Sequence, residues 1–332
     1  AGVKRNPLAK NCVTADVPVL TEHGFLRMDE IATGPGRQPN SMRIVGDDGE
    51  LRPLDSTYAP GVQDVLAVEM DYGLKLKATP DHEFMIMENG QIVKRRAEEL
   101  KPGDAAIIMV GRDVHGSNTI VPEVTVDGAT SYKDIDLPVE LTSDLARFLG
   151  YVASEGRYYQ QNKSYQFALG LGNASTEMIK DFGDIARRLV GDRLKVYPYE
   201  DKTVFTVSSK KLNTWLEALN VGGSSANKTV PRVIRSAPWK LKREFLRAYF
   251  ESDGTNKQPS GTTGKGSYHV SATSKSERLI RELHAELANV GILGYIRSEW
   301  AMTKKKGRQQ YWTWSIRRQA DLRRFRDKVG FI

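Results

Sequence analysis

Two nine-residue stretches of this 332-residue chain share one design: Phe148 to Gly156 reads FLGYVASEG, Leu246 to Gly254 reads LRAYFESDG, and the acids Glu155 and Asp253 lie 98 positions apart. Each stretch carries apolar residues at helical spacing, small residues near its end that let two helices approach closely, and an acid followed by a glycine expected to end the helix in the left-handed conformation. Before the first, Thr142-Ser143-Asp144 offers an N-cap, so a helix is expected over about 144–154 with Leu145, Phe148, Leu149 and Val152 on its apolar stripe. After each stretch come a strand candidate, a capped helix and a second strand of similar texture. The helices run from Ser175 or Thr176 to Leu189 and from Ser276 to Ala288; the second strands are VFTVS at 204–208 and YWTWS at 311–315. An order of elements that recurs in this way predicts a tandem duplication of one α+β unit.

Two such helices side by side would bring Glu155 and Asp253 together. Adjacent carboxylates repel unless a cation neutralises them, so the pair suits Mg²⁺ or another divalent cation bridging the acids and a phosphate. Charge supports a nucleic-acid partner. Residues 1–137 hold 15 Lys+Arg against 22 Asp+Glu, net −7, whereas 138–332 hold 34 against 19, net +15. No stretch approaches the roughly 18 apolar residues of a membrane helix, and the N-terminus has no signal-like apolar core; an intracellular, cytoplasmic protein without a membrane partner is expected.

The paired segments, Gly150-Tyr151 before Ser154-Glu155-Gly156 and Ala248-Tyr249-Phe250 before Ser252-Asp253-Gly254, resemble the two LAGLIDADG motifs of homing endonucleases, from about Leu141 to the end of the chain. The resemblance implies repeats at 138–240 and 241–332, a monomer with two sheets straddling a double-stranded DNA site, metal-dependent hydrolysis of both strands, and Glu155 and Asp253 as the metal ligands. It also points to Lys228, in Asn227-Lys228-Thr229-Val230-Pro231, either to position or activate the attacking water or to contact phosphate; Lys328 is the less clear counterpart in the second repeat. Arg157, Tyr159, Gln161, Lys163 and Lys202 in the first repeat are candidate DNA contacts. In the second they are Lys257, Lys265, Arg297, the run Lys304, Lys305 and Lys306, Arg308 and Arg317. A nucleic-acid-binding protein that does not cleave, such as a maturase or regulator, is the alternative.

The residues before Val126 have a different texture: short apolar alternation broken by Gly34-Pro35-Gly36, Asp47-Asp48-Gly49, Asn89-Gly90 and Pro102-Gly103-Asp104. This predicts an all-β domain interrupted by one short helix around Arg95 to Leu100. Its single cysteine, Cys12, excludes a disulfide scaffold. The segment Thr79-Pro80-Asp81-His82, with the Pro102-Gly103-Asp104 turn further on, resembles the Hint-type splicing domain of inteins. That resemblance implies a domain over 12–137 with Cys12 as nucleophile on the carbonyl of Asn11, His82 as acid/base, Thr79 as hydrogen-bond partner and residues 1–11 as N-extein. Inteins end on His-Asn before Cys, Ser or Thr, whereas this chain ends Gly330-Phe331-Ile332. Complete self-splicing is therefore not expected, thiol-induced cleavage after Asn11 requires that the incomplete fold still positions Cys12, and an autoprocessing domain with an inactive nuclease is a further alternative. The expected partners are the intein-less host gene and the host-protein exteins.

Overall fold

A computed structural model describes residues 12–126, 135–161, 164–172, 174–257, 268–303 and 307–332. The chain divides into two compact units, Ala1–His115 and Gly116–Ile332.

The described part of the first unit is built from short antiparallel strands. β1 (Pro18–Thr21), β2 (Gly24–Arg27), β4 (Arg43–Val45) and β5 (Leu51–Pro53) form one sheet in the order β2-β1-β4-β5, while β3 (Gly36–Pro39) pairs with β6 (Ser56–Ala59) and β7 (Leu66–Glu69) with β8 (Lys75–Ala78). The third group is β10-β9-β11, from Gln91–Arg96, Glu83–Glu88 and Ala105–Ala106. Asn89 and Gly90 join β9 to β10 with φ of 50° and 79°, the two left-handed residues that a type I′ hairpin turn requires. The helix expected around Arg95 to Leu100 is not formed. Arg95 pairs with Phe84 inside β10, its guanidinium held by Asp104 at 2.7 Å and Glu88 at 2.6 Å, and only a 3₁₀ turn, Ala97–Glu99, follows. The helical turn of this unit lies earlier, α1 (Met28–Ile31), where Glu30 accepts the Arg27 backbone N–H at 2.8 Å.

In the second unit the expected duplication is visible element by element. The first copy runs α2 (Ser143–Glu155), β12 (Gly156–Gln161), β13 (Ser164–Gly172), α3 (Thr176–Val190), β14 (Lys195–Pro198), β15 (Lys202–Ser208) and α4 (Lys210–Ala218). After a short α5 (Arg232–Arg235) the second runs α6 (Trp239–Asp253), β16 (Gly254–Lys257), β17 (His269–Ser274), α7 (Glu277–Asn289), β18 (Tyr295–Thr303), β19 (Gly307–Ile316) and α8 (Gln319–Lys328). The sheets have matching orders, β12-β13-β15-β14 and β16-β17-β19-β18. The caps are those expected: the hydroxyls of Thr142, Ser175 and Ser276 accept the backbone N–H of Leu145, Met178 and Leu279. The closing helices α4 and α8 have no counterpart in the sequence reading, because their apolar stripes are short: only Leu212, Trp215 and Leu216 in one and Phe325 in the other are buried apolar residues.

Helices α2 and α6 pack along each other at the centre of a single apolar core. Gly150 makes the approach possible, since a Cβ there would lie 2.4 Å from the Phe245 carbonyl oxygen and 2.9 Å from the Ala248 Cβ. Aromatic side chains fill the space between helices and sheets. Phe182 contacts Phe148, Tyr151 and Phe205 in the first copy; Phe250 contacts Trp314 and Phe325 in the second.

The boundary between the units falls before the charge break at residue 137. Val121 and Ile135 are buried in the core of the second unit, Val121 N–H donates to Val139 O at 2.9 Å, and Asn118 N–H donates to Ser236 O at 3.0 Å. Divided there, the first unit holds 14 Lys+Arg against 18 Asp+Glu and the second 35 against 23, so the polarity persists with a smaller contrast.

Candidate metal centre and nucleic-acid surface

Glu155 and Asp253 are the last residues of α2 and α6. The glycines after them serve a purpose other than the expected left-handed cap. Gly156 and Gly254 have φ of −72° and −77°, open to any residue, but a Cβ would meet Val152 Cα at 2.7 Å or lie even closer to the Phe250 carbonyl oxygen. Glycine lets the chain pass from helix to strand within one residue, pressed against the last helical turn. The hydroxyls of Ser154 and Ser252 hydrogen-bond each other across the pair.

The two acids sense one another. Asp253 is half-buried, and burial followed by the charge of Glu155 pushes its carboxyl up to about 7, against the opposing pull of Lys228. Glu155 is raised too, by desolvation, although the residue itself reaches solvent. Both acids are thus partly desolvated while still reaching solvent. Lys228 is buried at 5% exposure, and its ammonium donates to the Ser154 carbonyl oxygen. Burial lowers its proton affinity and the two carboxylates partly restore it. Tyr249, one turn before Asp253, holds a fully buried hydroxyl against that carboxyl, short of well-formed hydrogen-bond geometry. In the first copy Tyr151 instead donates to Asp181 at 3.0 Å, away from the acids.

Two carboxylates destabilised by each other and by burial form a donor set that a hard divalent cation fits. Among the described residues no third His, Cys, Asp or Glu joins them. Further ligands would therefore be backbone carbonyls, water or phosphate oxygens.

The strand leaving Glu155 carries side chains to an outward sheet face. Arg157, Tyr159 and Gln161 alternate with Tyr158, which packs against the core, and the Arg157 guanidinium lies 5.9 Å from the Tyr159 ring centre. Across the same face Gln166 donates to Ser164 at 2.7 Å and accepts from Ser208 at 3.0 Å, and Lys202 lies 5.8 Å from the Tyr199 ring centre. On the second sheet Arg297 and Arg317 line a shallow hollow with His269, Ser271, Glu299, Thr313 and Ser315. Gln166, His269 and Glu299 were not singled out from sequence, because their outward alternation becomes visible only once the register is known.

Arg308 does not share that outward face. It points to the same side of its strand as the buried Trp314, and its guanidinium stacks 4.9 Å above the Trp300 ring. Lys257 lies in β16, and its side chain, with Lys163, Lys265, Lys304, Lys305 and Lys306, is outside the described residues. Lys328 is not placed as Lys228 is: it ends α8 just before Val329-Gly330, the register that Asn220 holds before Val221-Gly222.

In the first unit Cys12, Thr79 and His82 meet at the start of the described chain. The Cys12 backbone N–H donates to Thr79 Oγ1 at 3.1 Å, Thr79 N–H donates to Cys12 O at 2.9 Å, and His82 N–H donates to Thr79 O at 3.0 Å. Thr79 is buried and His82 Nδ1 is a buried atom without a hydrogen-bond partner. Burial, helped by Asp81, pushes the Cys12 thiol up. Asn11 lies outside the described residues.

The LAGLIDADG-like domain family matches residues 240–330, the second copy. The chain is 24% identical to the replication factor C small subunit of Methanocaldococcus jannaschii across 98% of its own length and 16% of that protein. It is 22% identical to transcription initiation factor IIB of the same organism, across 60% of the chain and 26% of that protein. The chain thus spans well under half of these relatives. Among solved structures, variants of the homing endonuclease I-DmoI are similar at a TM-score of 0.40 and 16% identity, covering 57% of this chain and 95% of that one.

Proposed function

We propose that the chain is an intein segment carrying a LAGLIDADG-type endonuclease that makes metal-dependent double-strand breaks at a specific DNA site. The observation that carries this reading is the meeting of Glu155, Asp253 and buried Lys228 at the ends of two duplicated helices. A divalent cation held by Glu155 and Asp253 would neutralise charge developing on the scissile phosphate. Lys228 adds a fixed positive charge beside it, shielded from solvent and therefore effective at short range. The outward faces, with Arg157, Tyr159 and Gln161 on one sheet and Arg297 and Arg317 on the other, supply phosphate contacts and base-edge readers.

The intein reading rests on separate support. The chain, nearly whole in one case and across 60% of its length in the other, matches parts of two proteins whose names share no activity, and it occupies a minority of each. That pattern speaks for an inserted module. In the first unit, which we read as the N-terminal part of a Hint-type domain, the hydrogen bond from the Cys12 N–H to Thr79 Oγ1 grips the amide nitrogen that must depart. In the acyl shift Cys12 Sγ loses its proton and attacks the Asn11 carbonyl carbon. The bond from that carbon to the Cys12 nitrogen breaks, a thioester forms, and the nitrogen takes up a proton, for which His82 is the nearby acid.

Incubation with a pool of randomised DNA duplexes and Mg²⁺ or Mn²⁺, followed by sequencing of cut ends, tests the nuclease. Recovery of one long site by the natural chain and none by Asp253→Asn is expected. Undiminished cutting by Asp253→Asn would overturn the assignment, and site-specific binding without cutting by either protein would favour the non-cleaving alternative.

A further inference from the structure

Lys228 is buried in a segment with no regular secondary structure, between Asn220 and α5. A loop lysine surrounded by protein needs something to hold its backbone; Thr229 bonds back to Val221 and Asn220 within the segment, and one helix of the second copy adds two contacts. The Ser276 hydroxyl donates to the Lys228 carbonyl oxygen at 2.6 Å, and the Glu282 carboxylate accepts the Val230 N–H at 2.7 Å. Both contacts are buried, and Ser276 and Glu282 are 2% and 6% exposed. The other Glu282 oxygen accepts from Arg278 Nε at 2.9 Å, and Arg235 Nε donates to the Val230 carbonyl oxygen at 3.2 Å. From this clamped backbone the Lys228 side chain reaches the carbonyl of Ser154, next to Glu155 in the first copy.

We infer that Ser276 and Glu282 of α7 are positioning residues for Lys228. The second copy thereby sets the placement of the lysine that stands beside both acids; this deepens the nuclease reading and rests on it. Burying a glutamate is costly unless its oxygens are satisfied. Here one oxygen is used on the main chain two residues from Lys228 and the other on Arg278, an arrangement that fixes a loop rather than forming a surface ion pair. Ser276 does two things with one hydroxyl: its lone pair caps α7 through Leu279 N–H at 3.1 Å, while its hydrogen goes to Lys228.

The test reads Lys228 directly. Amine acetylation of the whole chain is followed residue by residue by mass spectrometry, with Lys242 as internal control, because that lysine is 0% exposed and paired with Glu286 at 2.9 Å. Glu282→Ala should raise the acetylation rate of Lys228 about tenfold, the effect of losing one buried hydrogen bond, and leave Lys242 unchanged. Glu282→Gln, which still offers an oxygen to Val230 N–H, should stay near the natural rate. Ser276→Asp, which can cap α7 but has no hydrogen to give, should behave as Glu282→Ala does. A parallel rise at Lys228 and Lys242 would mean that the contacts are merely structural, and no rise at Lys228 would also overturn the inference. On cleavable DNA with Mn²⁺, Glu282→Ala should lower kcat with little change in KM, and Glu282→Gln should recover it. Absence of cutting by the natural chain would count against the nuclease reading alone, leaving acetylation to judge the clamp.

Discussion

The ammonium of Lys228 donates to the backbone carbonyl of Ser154, the residue that precedes Glu155. A lysine from the segment joining the two copies thus rests on the end of the first motif helix while its charge acts on both acids.

Replacing Lys228 by Met keeps the length of the side chain and removes the charge. Single-turnover cleavage should fall by about 10²–10⁴-fold, the range for loss of a well-placed proton-handling or charge-stabilising group. Affinity for DNA, measured without divalent cation, should change little. Equal losses in binding and cleavage would instead make Lys228 a phosphate contact.

Stability should depend on pH through Asp253. Its carboxyl is raised in the folded chain to about 7 from an ordinary value of 3.8. The folded state therefore holds a proton that the unfolded state releases, so this contribution is fully present below about pH 4 and is lost as pH rises through 7. In chelator, Tm should be lower at pH 8 than at pH 6. Asp253→Asn should remove most of that loss, as should Mg²⁺ or Mn²⁺; an effect near 1 kcal/mol would move Tm by about 2–4 °C in a domain of this size. A pH-independent Tm would show that the two acids are not in conflict.

Gly150→Ala tests the packing beneath the site. The added methyl would overlap the Phe245 carbonyl oxygen, and overpacking of this kind costs about 1–3 kcal/mol. Urea unfolding of the second unit should show the loss as a lower midpoint, with cleavage reduced by more than the remaining folded fraction accounts for, because the spacing of the two helices sets that of the acids.

DNA affinity should fall steeply with salt, by about 0.9 in log–log slope for each phosphate contact. Arg297→Ala should flatten the slope by about one unit if Arg297 contacts a phosphate, or leave the slope and relax base preference at one position if it reads a base.

Treatment with dithiothreitol should release residues 1–11 from the natural chain, detected by mass. Cys12→Ala should abolish release, and Thr79→Ala and His82→Ala should slow it by roughly 10²-fold or more. Release that persists in Cys12→Ala would dismiss Cys12 as the nucleophile.

Much of the second unit was legible because its signals are local. The Thr142, Ser175 and Ser276 caps and the apolar stripes of α2, α3 and α7 lie within a few residues of one another. The acids were legible because they recur. The reason for the glycines after them was not: the sequence suggests a left-handed cap, and only the strand pressed on Val152 and Phe250 explains them. The clamp on Lys228 was equally hidden, since Ser276 lies 48 residues from the carbonyl it holds and looks like an ordinary N-cap. In the first unit the hairpin at Asn89-Gly90 was readable, whereas Arg95 to Leu100 misled because Arg95 and Arg96 are held in β10 by cross-strand pairing, Arg95 also by Asp104 and Glu88, which leaves room only for a 3₁₀ turn.

The passage from helix to strand at Gly156 and Gly254 has a consequence for how a DNA site could be altered. One residue separates Glu155 from Arg157, so under the proposed function the first reading side chain and the metal-holding acid would travel on the same turn. Under that reading the chain would work as a ruler whose zero mark is the acid. Exchanging outward side chains on the sheets should change which bases are preferred, while the point of scission stays at the same offset from those bases.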